Sequence, residues 1–296
     1  MRVRHILSIV LLLAGCSPSA AGPAAGSALE AARTLRFTAI PDQNATELRH
    51  KFDPVAAYLS RALGVPVEYV PAADYQASVE MFRNGDIQLA WFGGLTGVQA
   101  RHAVPGAEVI AQGAEDQTFA SYFIAHAKTG LTRSDAFPTG ILGRTFTFGS
   151  ASSTSGRLMP EHFLLEATGK APAEAFRSVS FSGSHDKTAE MVASGAVEVG
   201  VLNHMVYDQR VAARTTDPEV ARIVWRTPEY ADYNFSAHPD AERILGAGGI
   251  QRLQSALLAM RDPALLAAFP RSALIAARDA EFDGIRAVAL KLGMLR

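Results

Sequence analysis

Asp74 stands as far before Gly85 as Ser184 stands before Gly195, and each pair frames an amphipathic run that feeds an apolar stretch. Asp and Ser favour helix starts and Gly ends helices, so each pair predicts one short helix. Around the first lie strand-like segments at Leu35-Arg36-Phe37-Thr38-Ala39-Ile40, Val65 to Val70 and Ile87-Gln88-Leu89-Ala90-Trp91-Phe92. Around the second lie Arg144-Thr145-Phe146-Thr147-Phe148, Val179-Ser180-Phe181 and Val197 to Leu202. Strands separated by helices of about ten residues argue for a parallel, doubly wound sheet. The recurrence predicts two α/β lobes of one design, with a single larger sheet as the competing arrangement.

Two further strand-like runs, Ser121-Tyr122-Phe123-Ile124-Ala125-His126 and Tyr230-Ala231-Asp232-Tyr233-Asn234-Phe235-Ser236-Ala237, flank the second repeat and suggest a pair of crossing strands. The expected division is residues 34–124 with 234–296 as the first lobe and 125–233 as the second. Asp53-Pro54 marks a helix start that Gly64 ends. From Gly249 onward the pattern is helical without strand signals, and this tail is expected to pack on the first lobe.

The beginning of the chain has a separate logic. Met1-Arg2-Val3-Arg4-His5 is basic, Ile6 to Ala14 is apolar, and Leu13-Ala14-Gly15-Cys16 closes the run. That order of features predicts a secretory signal over residues 1–16, too short for a mature membrane span. Its ending resembles the bacterial lipobox, which would make Cys16 a lipid anchor. Residues 17–33 are rich in Ala, Gly, Pro and Ser and are expected to form a flexible tether. The protein would then sit in the periplasm, held to a membrane by that lipid alone. Cys16 is the sole cysteine, which excludes a disulfide, a Cys-ligated metal site and a thiol nucleophile in the folded domain. The formal net charge of −1 gives no reason to expect nucleic acid as a partner.

Ligands of open α/β sheets sit beyond the C-terminal strand ends. That rule collects Asp42, the Tyr75 loop and Gly93-Gly94 on one lobe, and Ser152 to Gly156, His185 and Asn203 on the other. Phe148-Gly149-Ser150-Ala151-Ser152-Ser153-Thr154-Ser155-Gly156 is a hydroxyl-dense loop between a strand and a helix. Free N–H groups and the positive dipole end at a helix start favour an oxyanion there, although one serine capping the helix would also explain the loop. Tyr75 is expected to expose its phenol as a donor, His185 to offer a ring N–H and Asn203 an amide. Asp186 is a candidate cap, and Trp91 a candidate cleft wall. Arg157 and His204 are expected to be structural. No nucleophile elbow, zinc motif or P-loop is present, and His185 and Asp186 are adjacent, which is awkward for a triad with Ser153. No enzyme activity, metal or cofactor is expected.

Ala73-Asp74-Tyr75, Leu89-Ala90-Trp91-Phe92-Gly93-Gly94, Thr147-Phe148-Gly149-Ser150 with Ser152-Ser153-Thr154-Ser155-Gly156, and Ser182-Gly183-Ser184-His185-Asp186 resemble the phosphonate/phosphite-type periplasmic solute-binding proteins of ABC importers. Within that group the chain looks closest to the selenate-transporter branch. The resemblance implies a type II binding-protein fold with a closing cleft, a monomer that hands its cargo to an ABC permease. It implies anion contacts from Tyr75, Ser153, Thr154, Ser155 and His185. Aminophosphonate binders carry an acid where this chain has Leu202-Asn203-His204, so the site is expected to be rich in donors and poor in acceptors. A small tetrahedral oxyanion is the expected ligand: selenate, phosphite, phosphonate or phosphate. The alternative role is a lipoprotein that senses the anion for a sensor histidine kinase.

Overall fold

In the computed structural model, residues 34–43 and 45–295 are described. The expected signal, lipid anchor and tether lie outside them. Among the described residues, eleven strands form two sheets: β1 (Leu35–Ala39), β2 (Val67–Tyr69), β3 (Leu89–Phe92), β4 (Glu108–Gly113), β5 (Ser121–His126), β6 (Thr145–Phe148), β7 (Ser178–Phe181), β8 (Val199–Asn203), β9 (Ala221–Arg226), β10 (Asn234–Ala237) and β11 (Leu274–Ala276). One sheet has the order β11-β4-β10-β3-β1-β2 and the other β7-β6-β8-β5-β9.

Reversing the second order shows the repeat. β9-β5-β8-β6-β7 matches β4-β10-β3-β1-β2 strand for strand. β1 is parallel to β2 and β3 as β6 is to β7 and β8. β10 runs antiparallel between β3 and β4, and β5 does the same between β8 and β9. The sheets are therefore mixed rather than wholly parallel. The chain enters each lobe from the other through β5 or β10, and that returning strand inserts against the parallel set. β3 and β8 are buried on both faces, which accounts for their unbroken apolar runs.

The crossing is narrower than the sequence suggests. All of β5 belongs to the five-stranded sheet, so the expected boundary at 124/125 falls inside a strand. Phe119 and Tyr230 form an isolated antiparallel bridge between the lobes, and the regular strand of the second crossing begins only at Asn234.

Two local expectations change. The first helix runs Ala45–Leu63, with Pro54 in its interior rather than at its start. An interior proline costs about 3 kcal/mol, but Leu48 and Phe52 extend the buried face upstream, and each contributes about 1.5–3 kcal/mol. The tail helices Gly249–Leu258 and Asp283–Lys291 pack on the Ala45–Leu63 and Gly94–Ala103 helices of the first lobe. Between them the tail contributes β11, which pairs with the edge of β4.

Candidate functional site

The repeated helices are Tyr75–Arg83 and His185–Ala193, each opening on an aromatic ring. Asp74 caps the first by accepting from the Ala77 N–H at 2.7 Å. This cap turns Tyr75 inward, so its phenol is buried rather than exposed. Tyr75 Oη has no hydrogen-bond partner in the protein. Burial pushes its pKa well above the usual phenol value, with Ser153 alongside, so it stays a neutral donor.

His185 occupies the same position in the second lobe and is wholly buried. The Asn203 N–H donates to Nδ1 at 3.3 Å. Nδ1 is therefore the acceptor, and the proton of the neutral ring sits on Nε2. Burial pushes the pKa down to about 4, against the pull of Asp186. Nε2 is a second buried group without a protein partner.

The hydroxyl-rich loop is both cap and wall. Ser153 Oγ accepts from the Gly156 N–H at 2.9 Å. The turn Thr154–Leu158 is a π-helix, wider than an α-turn, and the α-helix Met159–Thr168 follows it. A Cβ on Gly156 would lie 2.9 Å from Ser153 Oγ and 3.2 Å from His185 Cε1, so glycine is what lets the imidazole rest against the loop. Ser155 is buried, and its carbonyl accepts from the Ser121 hydroxyl at 2.7 Å.

Thr154 reaches the other lobe. Its Oγ1 accepts from the Leu95 N–H at 2.9 Å, in the first turn of the Gly94–Ala103 helix. Beside it, Asp232 Oδ1 accepts from the Gly94 N–H at 2.8 Å. The starts of four helices, at Tyr75, Gly94, Thr154 and His185, thus meet at the cleft and present their positive ends. Asp232 Oδ2 is the third buried atom there without a partner. Burial raises this carboxyl to about 7, against the Gly94 N–H and Thr154. Asp232 is absent from the sequence-based candidates, and it supplies an acceptor to a site expected to have few. Its only signal is a single acid in the aromatic-rich strand-like run Tyr230 to Ala237.

Other candidates fall one step back. Asn203 Oδ1 caps the His204–Ala212 helix, accepting from Met205 N at 2.8 Å and Val206 N at 3.3 Å. Its Nδ2 donates to Tyr233 Oη at 3.1 Å, and Tyr233 donates to Asp42 Oδ2 at 2.8 Å. The Asp42 carbonyl accepts from the His185 N–H at 3.1 Å, closing a hydrogen-bonded loop across the cleft. Trp91 backs Tyr233 in a stack with ring centroids 5.5 Å apart. Asp186 is no cap; it is half-buried, bonded to the Ser184 hydroxyl, and lines the outer mouth of the cleft with Gln43. Arg157 is held over the Phe148 and Phe181 rings and paired with Glu161, not spread into solvent. His204 Nδ1 lies 2.9 Å from the Ala120 carbonyl, a structural contact as expected.

Arg271 of the tail lies beneath the site and is also absent from the sequence-based candidates. It grips Asp116 at 2.9 and 2.7 Å, and the Asp116 carbonyl accepts from the Asp232 N–H at 3.0 Å. Burial works against the charge of Arg271, but Asp116 outweighs it and raises the pKa. The pair fixes the crossing segment that carries Asp232.

Two buried donors, one buried acceptor and four helix starts, with no nucleophile–base pair among them, suit capture of a small oxyanion. The family profile described as the phosphonate periplasmic substrate-binding protein of ABC transporters matches residues 37–282. The chain is 36% identical over 271 residues to the probable ABC transporter phosphite binding protein PhnD1 of Prochlorococcus marinus (strain MIT 9301), covering 89% of this chain and 91% of that one. It is 30% identical to the phosphate-import protein PhnD of Mycolicibacterium smegmatis, covering 78% and 74%. The solved structure of P. marinus PhnD1 in complex with methylphosphonate superposes with a TM-score of 0.84, over 88% of this chain and 99% of that one. Extent of match, identity and fold agree: the chain belongs to the phosphonate-type periplasmic substrate-binding proteins of ABC transporters, a family of binding proteins rather than enzymes.

Proposed function

We propose that this chain captures a small tetrahedral phosphorus oxyanion, phosphite or methylphosphonate, between its lobes and delivers it to an ABC permease. The observation that carries the reading is the unpartnered Asp232 Oδ2, buried as the donors Tyr75 Oη and His185 Nε2 are, and near enough to Tyr75 to act on its phenol. A carboxylate facing an anion repels it unless the two share a proton. Phosphite, phosphonate and phosphate retain or readily regain a proton near neutral pH. Sulfate and selenate are fully ionised and must draw it from Asp232, at a cost that grows as pH rises above its pKa of about 7. Selenate is then a poor ligand. The names of the P. marinus and M. smegmatis relatives support the same chemistry.

In this reading Tyr75, Ser153, Thr154, Ser155 and His185 hold the anion, and Asp232 holds the shared proton. Asn203 and Trp91 support the wall, and Asp186 stays outside. The protein acts as a monomer in the periplasm, tethered through Cys16 after removal of residues 1–15. Cys16→Ser should move it from the membrane to the soluble periplasmic fraction.

Calorimetry at pH 8 against phosphite, methylphosphonate, phosphate, sulfate and selenate tests the assignment. Phosphite or methylphosphonate should bind most tightly. Asp232→Asn should weaken that binding about ten- to hundredfold, the loss of one charge-assisted hydrogen bond of roughly 1.5–3 kcal/mol, and should narrow the gap to sulfate. A wild-type protein that prefers sulfate or selenate, or ignores all five, would refute it.

A further inference from the structure

We propose that Tyr233 sets the size of the ligand, acting as a septum between the anion site and a small cavity of mixed polar and apolar lining behind it. The inference rests on the phosphorus-oxyanion reading above. Tyr233 is 2% exposed, adjacent in sequence to Asp232, and at the centre of a chain that joins both lobes. Asp42 holds its hydroxyl from the first lobe and Asn203 from the second, and the backbones of both bond to His185. Trp91 stacks on one face of its ring, and the Arg271 guanidinium lies 5.0 Å from the ring centroid. A ring pinned at both ends and backed on its face has no free rotamer to swing into.

The cavity behind it measures about 20 Å³, and Tyr233, Asp42, Asn203, Trp91, Phe52 and Phe269 are among its walls. That space is of the order that holds one water molecule. None of Tyr75, Ser153, Thr154, His185 or Asp232 lines it. A substituent on phosphorus longer than methyl, directed toward this wall, would need the space Tyr233 fills. Overpacking a buried, bonded aromatic displaces its neighbours, and one extra methylene in a tight pocket changes affinity about 10- to 200-fold. With the ring removed, the cavity and the anion site join, and the new space is walled by Trp91, Phe52 and Phe269 together with the charged side chains of Asp42, Lys51 and Arg271.

Calorimetry with phosphite, methylphosphonate, ethylphosphonate and 2-aminoethylphosphonate, on the wild type and on Tyr233→Phe, Tyr233→Leu and Tyr233→Ala, tests the septum. The wild type should bind methylphosphonate at least about tenfold more tightly than ethylphosphonate. Tyr233→Phe keeps the ring and should keep that ratio while losing some affinity. Tyr233→Ala, and Tyr233→Leu to a smaller extent, should bring the ratio toward one or reverse it. Leu also serves if Ala fails to melt cooperatively. Equal wild-type affinity for methyl- and ethylphosphonate would overturn the septum. So would an unchanged ratio in a folded variant lacking the ring. Failure of the wild type to bind any of the four would instead overturn the oxyanion reading.

Discussion

The two lobes share one topology but carry different side chains at equivalent places. In each, a parallel βαβ set is completed by a strand arriving from the other lobe, and the second helix of each set opens on a buried aromatic residue. Gly85 and Gly195 end those helices with φ of +76° and +75°, a left-handed turn that glycine adopts without strain. The first residue of the helix is a phenol in one lobe and an imidazole in the other, and each leaves one polar atom unpartnered toward the cleft. The loops differ as well. After β6 the chain supplies hydroxyls and a helix start, whereas after β1 it supplies Asp42, which grips Tyr233 and the His185 backbone. A shared frame fixes where the donors stand, and individual residues decide what they donate. Neither lobe completes the site, because the acceptor, Asp232, lies on the crossing segment.

The two lobes differ first in their cores. Phe82 and Val192 hold equivalent places on the two helices, and both are fully buried. Phe82 packs on Phe92 and His238. Phe82→Ala should destabilise the protein by about 3–5 kcal/mol, and Val192→Ala by about 2 kcal/mol from two lost carbon groups, as measured by denaturant unfolding. Equal effects would mean the lobes do not use these helices alike.

A pH titration separates the two rings. His185 has a folded pKa of about 4 against 6.5 when unfolded, so the unfolded chain takes up the proton first. Its contribution is undiminished above pH 6.5, falls as pH drops toward 4, and by then has cost about 3 kcal/mol. Asp232 has the opposite sign: its folded pKa of about 7 exceeds 3.8, so stability it gives at low pH is lost between those values as pH rises. His185→Gln should therefore remove the acid-side loss measured in unfolding curves between pH 6.5 and 4, whereas Tyr75→Phe should leave it in place. For binding, Tyr75→Phe should weaken phosphite about ten- to hundredfold by calorimetry. The smallest contrast is at the caps. Asp74→Ala should cost about 1 kcal/mol because Asp74 caps its helix. Ser184→Ala should cost less in the same unfolding assay, since the Ser184 hydroxyl bonds Asp186 instead of the helix N–H groups.

Most of the frame and about half of the candidate site are legible in the sequence, for one reason. Tyr75, Ser153, Thr154 and His185 stand at helix starts, and caps, glycines and apolar periodicity mark helix starts locally. The residues that escaped notice have their partners far away. Asp232 meets Gly94 across 138 positions and Arg271 meets Asp116 across 155, separations that no local period encodes. The helix start at Tyr75 is legible in the sequence, but the burial of its phenol is not. Closure of the second lobe over it, through Ser153 and the bond from the Leu95 N–H to Thr154, is a tertiary event. Tyr233 hid in an aromatic run that looked like ordinary strand, and its contacts to Asp42 and Asn203 appear only when both lobes are assembled.

In the proposed complex, Asp232 and the ligand hold one proton between them. Calorimetric titration of phosphite near pH 8.5, in two buffers of different ionisation enthalpy, counts the protons exchanged on binding. At that pH both the ligand and Asp232 are ionised when free, so the wild type should take up about one proton per anion bound. Asp232→Asn should take up none. Tight phosphite binding by the wild type with no proton uptake would contradict the account.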